Sequence, residues 1–357
     1  TTLTISGGTF NNNAGSLGGA GTLALSSTTF NLGVSFSNAA VTTLTVSGSI
    51  VWGTGLLTNA TGQTVVASTI NAPFSNQALL TMHGTCTIGS TAGNFTQAPA
   101  GTLRVEGDSV DGAAALTVTN AFTNAGHIVL TNTAASQNAN LTVTNGALTN
   151  TGTFDILAGV GGGTRTLGLI LANQGTMNVG AAATLDKNGA AAHTNSGTIN
   201  VTADFNLNLT ADTFTHTGTI AIGSGSTLTV SAGTFNDNAG SLGGAGILAL
   251  STTTFNLSVG FSNAVTTLTV SGSTIGGTGL LTNATGLTVA TSIINAPFSN
   301  QALLTTHGNC TIGSTAGNFT QAATGTILLE GNTANGGAAL TVTNAFTNAG
   351  HIELTNT

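Results

Sequence analysis

The chain has 357 residues but only 3 Lys+Arg and 10 Asp+Glu, so 4% of it is charged, against roughly 25% in an ordinary globular domain. Its 40% hydrophobic content and positive mean hydropathy supply a core and exclude the low-hydropathy, high-charge composition of disordered chains. Arg104, Arg165 and Lys187 lie far apart, which excludes a basic face for nucleic acid or an anionic membrane surface, and no apolar run reaches the ~18–20 residues of a membrane span.

Taken from its beginning, the chain opens with TTLTISGGTF, which reads as strand from the middle of a fold. Any export signal is therefore expected outside this sequence. Alternating segments such as TLTVS follow one another, with Thr, Val, Ile and Phe favouring strands and Gly and Asn supplying the positive φ values of tight turns. Aliphatic residues such as Leu3, Ile5, Leu23 and Leu25 are expected to point inward and stack.

From about residue 124 a clearer motif emerges: Asn-x-Gly, then Thr or His, then two apolar residues separated by one of any type. It reads NAGHIVL at 124–130, NTGTFDI at 150–156, NQGTMNV at 173–179 and NSGTINV at 195–201, with HTGTIAI at 216–222 as a looser form. Its glycines, Gly126, Gly152, Gly175, Gly197 and Gly218, are separated by 26, 23, 22 and 21 residues.

A long repeat overlies this short one. Residues 1–133 match 226–357, and 134–225 complete a unit of 224–225 residues. The prediction is an all-β parallel β-helix (a β-solenoid), right-handed, with about 21–22 residues per coil and about 16 coils. It would be one continuous solenoid over 1–357, a piece of a longer protein. A ladder of phenylalanines is expected from Phe10, Phe122, Phe214, Phe235 and Phe346, and amide ladders from stacked Asn.

Chemistry is sparse. EGDSVDG at 106–112 places Glu106, Asp108 and Asp111 in a Gly-containing loop, a candidate calcium site, but the second copy reads EGNTANG at 330–336. Asp186 and Asp204, about one coil apart, are the only candidate for a carboxylate groove of a polysaccharide-active enzyme. His193 and His216, also one coil apart, would stack if they bound metal. Cys86 and Cys310 occupy the same place in the two copies, too distant to pair within the solenoid, and read as buried thiols. Thr-x-Thr pairs such as Thr2/Thr4, Thr43/Thr45 and Thr117/Thr119 raise an ice-binding surface, but Asn, Ser and Ala interrupt them. No cofactor is implied.

The phrases SGGTFNNNAG, LGGAGTLALS, FTNAGHIVL and NSGTINV resemble those of bacterial β-strand-repeat surface proteins, the autotransporter passengers and filamentous-haemagglutinin-like adhesins. The resemblance implies a cell-surface or extracellular location, bacterial origin, and adhesion or biofilm structure. The expectation is a non-enzymatic structural rod forming a fibre, stalk or matrix element, its main partner being itself. The alternative is an adhesin passenger binding surface glycans.

Overall fold

A computed structural model of the chain describes residues 1–89, 95–187, 189–313 and 319–357. Two compact units emerge, Thr1–Leu185 and Asp186–Thr357. Both are built as the repeats predict: short strands separated by tight turns and paired in parallel, each strand lying on its counterpart one turn earlier. Together they hold about 16 turns of β-solenoid. Among the described residues the only helical element is a single 3₁₀ turn, Asn38–Ala40.

In the first unit one face stacks Thr2–Ser6, Gly19–Ser26, Val41–Ser47, Gln63–Val66, Leu79–His83, Thr102–Gly107, His127–Asn132, Thr153–Ile156 and Thr176–Val179. Side chains alternate across a strand, so one residue in two meets its register partner inside. Leu23, Leu44, Leu80, Leu103, Ile128, Phe154 and Met177 form one inward column and Leu25, Val46, Val65, Met82, Val105, Leu130, Ile156 and Val179 the next, nearly all fully buried. Leu3 and Ile5 stand in register with Leu23 and Leu25, but Leu3 itself is 54% exposed. Gln63 interrupts the first column between Leu44 and Leu80.

The second unit repeats the pattern. Phe205–Asn208, Thr227–Ser231, Ile247–Ser251, Thr267–Ser271, Leu287–Ala290, Leu303–His307, Thr326–Gly331 and His351–Asn356 stack on one face. A second face carries Ala192–Asn195, Thr213–His216, Thr234–Asp237, Thr254–Leu257 and Thr274–Gly277.

Phenylalanines gather in short stacks rather than in one continuous ladder. Phe10 lies on Phe30 with centroids 5.5 Å apart, Phe122 on Phe95 at 5.0 Å, Phe214 on Phe235 at 5.2 Å and Phe346 on Phe319 at 4.9 Å. Aliphatics take over the same columns: Phe30 is followed in register by Val51, and Phe122 by Leu148 and Leu171. Any apolar side chain of suitable volume fills such a slot, so the ring is not required at every turn.

Turn chemistry differs from expectation in one respect. Among the described residues no Asn has positive φ; the left-handed corners are taken by Gly48, Gly84, Gly272 and Gly308, and also by Ser27, Ala67, Ala232, Thr252 and Thr291. Asn is used elsewhere.

Candidate functional site

Buried carboxamides stack in columns, one of them built from the Asn-x-Gly motif. Asn124 Nδ2 donates to Asn150 Oδ1 (2.7 Å), and Asn150 Nδ2 to Asn173 Oδ1 (2.8 Å), all three side chains being fully buried. The first two amides also donate to a backbone carbonyl one turn on, Thr153 for Asn124 and Thr176 for Asn150. A second column runs Asn38–Asn59–Asn76–Gln97 at 2.7, 2.6 and 2.8 Å. Its copy in the other unit runs Asn263–Asn283–Asn300–Gln321 at 3.0, 2.6 and 2.8 Å. A carboxamide suits this position because it both donates and accepts, so identical residues can chain indefinitely inside an apolar core.

The glycine two residues on serves a close approach rather than a turn. Gly126, Gly152, Gly175 and Gly218 have ordinary φ, yet a Cβ on Gly152 would overlap the carbonyl oxygen of Gly126. Gly175 meets Gly152 and Gly218 meets Gly197 in the same way. Those carbonyls accept from the residue after the next glycine, as Thr153 N to Gly126 O and Thr219 N to Gly197 O. Asn, Gly and the following Thr are thus one device for locking successive turns.

The acidic loop is assembled differently from the sequence reading. The Glu106 carboxylate turns away, 3.2 Å from Arg104 Nη1, while its backbone carbonyl oxygen lies 2.9 Å from His83 Nδ1. In its place His83, one turn earlier, joins Asp108 and Asp111: His83 Nδ1 lies 2.8 Å from Asp108 Oδ2, and one ligand atom from each of the three falls within 4.8 Å of the others. Asp108 Oδ1 accepts from the backbone N–H groups of Val110 (2.8 Å) and Asp111 (2.6 Å), which fixes the carboxylate. Spacing along the chain cannot show this, since His83 arrives through the stacking of turns.

The remaining candidates separate. His193 and His216 do not face one another: His193 is in register with Phe214, and His216 with Asn195. Both are fully buried. His216 replaces an Asn of the ladder, its Nδ1 3.1 Å from Asn195 Nδ2 and its Nε2 3.1 Å from the Ser241 carbonyl. That arrangement calls for a neutral ring donating through Nε2, and burial holds its pKa below the usual histidine value. His193 lies 3.6 Å from the equally buried Asp212; burial lowers its pKa, opposed by the Asp212 charge. One turn beyond His216 the ladder position passes to Asp237, whose carboxyl is 2% exposed and pushed up to about 6 by burial.

Asp186 and Asp204 form no carboxylate pair. Asp186 Oδ1 accepts from the Asn208 side chain (3.1 Å), and Asp204 Oδ1 from the backbone N–H of Thr227 (2.9 Å). Cys86 and Cys310 are free and buried, each Sγ directed at the carbonyls of equivalent residues: Val65 and His83, Val289 and His307. Burial also pushes the Cys86 thiol up, which keeps it protonated and unreactive. Arg165, unremarkable in the sequence, is 1% exposed, its guanidinium donating to the carbonyls of Gln137, Leu157 and Thr164. The threonine ranks are short: Thr45, Thr64 and Thr81 stack in register, but Ala24 and Arg104 flank them.

The chain is a parallel β-solenoid repeat protein. No family model, curated protein or solved structure matches it.

Proposed function

We propose that the chain is a non-enzymatic structural solenoid of the cell exterior, an element of a fibre, stalk or matrix that associates with copies of itself. The observation that carries this reading is the contrast between what the two copies of the long repeat keep and what they change. The amide columns and the buried thiols recur with the same partners, and at nearly the same distances. Charge recurs only as Glu106 and Glu330: Arg104, Asp108 and Asp111 become Leu328, Asn332 and Asn335. A duplicated catalytic or recognition surface would retain those groups, whereas a duplicated scaffold needs only the contacts between turns.

Sparse charge supports association as well. With 4% charged residues, lateral packing of outward Thr and Asn faces meets little electrostatic repulsion. Negative-stain electron microscopy of the purified protein, together with light scattering across a concentration series, tests the reading. Filaments or lateral bundles that grow with concentration are expected. Monodisperse particles at every concentration would overturn self-association.

The adhesin reading shares location and fold and rests on the same neutral, hydroxyl-rich faces. Saturable binding to a glycan surface by particles that do not associate would favour it.

A further inference from the structure

The geometry points to a single site for a first-row divalent metal ion of the zinc class in the first copy of the repeat, formed by His83, Asp108 and Asp111. His83 ends the strand Leu79–His83, and Asp108 and Asp111 belong to the loop that leaves Thr102–Gly107, the strand stacked directly on it. Asp108 N donates to Gly112 O (2.9 Å), closing the loop beside the imidazole. Nδ1 of His83 lies 2.8 Å from Asp108 Oδ2 and 2.9 Å from the Glu106 carbonyl oxygen. An ion bound there takes the place of the ring proton that these oxygens share, the ring passing to its Nε2–H tautomer and the ligand atoms opening to the ~3.3–3.6 Å of a tetrahedral site with bonds of ~2.0–2.2 Å.

The donor set selects the ion. One imidazole nitrogen and two carboxylate oxygens suit zinc and its first-row neighbours, with water completing the coordination. Calcium requires six to eight oxygen ligands, more than this loop's two carboxylates readily provide. The surrounding structure also orients the ligands before any ion arrives. Val110 and Asp111 N–H groups hold Asp108 Oδ1 and leave Oδ2 aimed at His83. The side chains of His83 and Asp108 are only 13% and 16% exposed, so little reorganisation is needed on binding.

The second copy provides an internal comparison. Its loop has the same closure, with Asn332 N to Gly336 O at 3.0 Å, and the same turn, with Asn332 Oδ1 accepting from Asn335 N at 2.7 Å. Here the amide Nδ2 of Asn332 stands 2.9 Å from His307 Nδ1, a donor filling the place of a metal-binding oxygen. The loop therefore holds its shape without aspartates at these two positions, and the copies differ in charge and donor set.

Equilibrium dialysis of the whole chain against zinc and, separately, calcium, with elemental analysis of the retained metal, tests the assignment. One zinc per chain is expected, with calcium not retained. Asp108→Asn combined with Asp111→Asn reproduces the second copy's side chains and should abolish retention while leaving the circular dichroism spectrum unchanged. Asn332→Asp with Asn335→Asp should raise the stoichiometry to two. No zinc bound by the unmodified chain, zinc still bound after the first double substitution, calcium bound in preference, or a stoichiometry left at one by the second pair would overturn it.

Discussion

The carbonyl oxygen of Gly126 occupies the space in which a side chain on Gly152 would begin. That oxygen also accepts the Thr153 N–H at 2.9 Å, so neither turn can retreat without breaking the ladder between them. Gly152→Ala should therefore destabilise the first unit by about 2 kcal/mol or more, at the upper part of the range for overpacking a closed site. Chemical denaturation should show the lower midpoint; an unchanged midpoint would refute the close-approach role.

Gln63 lies in register between Leu44 and Leu80, 4% exposed, and neither its Oε1 nor its Nε2 has a hydrogen-bond partner among the described residues. Leu287 holds the equivalent place in the second copy and is buried in register with Leu268 and Leu304. An unsatisfied buried polar group costs about 1–3 kcal/mol. Gln63→Leu is expected to raise stability by about that much, measured as the shift in thermal midpoint.

Asp237 has an opposite-signed counterpart in the histidines. Its carboxyl titrates at about 6 in the fold rather than at 3.8, so the folded state holds the proton that the unfolded state releases. Its contribution is fully present below pH 3.8 and is lost as pH rises through about 6. The shift corresponds to about 3 kcal/mol by the pH-linkage relation. Asn12 stands at this position in the first copy, and Asp237→Asn should stabilise the second unit at pH 7 while having little effect at pH 4. His193 and His216, held neutral by burial, act the other way: their contribution is present above pH 6.5 and is lost as pH falls below it. Urea midpoints from pH 4 to 8 for the unmodified chain, Asp237→Asn and His216→Asn separate the two trends.

Thr252 sits at a left-handed corner with φ 54°, where the next turn has Gly272 at φ 56°. A left-handed backbone costs a non-glycine residue roughly 1–2 kcal/mol, and β-branching adds crowding. Part of that is offset by the greater freedom of glycine in the unfolded chain. Thr252→Gly should gain up to about 1 kcal/mol, read from the same denaturation assay; a loss would show that the hydroxyl or methyl of Thr252 makes a contact outweighing the strain.

Much of the scaffold was legible before any coordinates. The solenoid, its strands and the approximate period follow from alternating Leu, Val and Ile and from the recurrence of Asn-x-Gly. The burial of Cys86 and Cys310 also accords with their place inside apolar strands. The candidate site was legible only in part. Asp108 and Asp111 announced themselves as acids in a glycine-containing loop, but Glu106 was engaged by Arg104, and the third member, His83, came from the preceding turn. Asp186 with Asp204, and His193 with His216, were paired by their spacing of about one coil. Turns here vary in length, from 17 residues between Asn59 and Asn76 to 30 between Cys86 and Leu116, so a coil's spacing does not fix which residues share a column.

What the sequence by itself determined is the kind of order: alternation at period two selects strands, and repetition at about 21 residues stacks them in parallel, because each strand can satisfy its backbone only on the turn beside it. Only the tertiary structure decided which side chains meet. Register converts positions 124, 150 and 173 into a buried amide chain, and brings His83 to Asp108. It also gives Gly152 its reason, since the oxygen that excludes a side chain there belongs to Gly126 on the turn before, a neighbour in space and not in sequence.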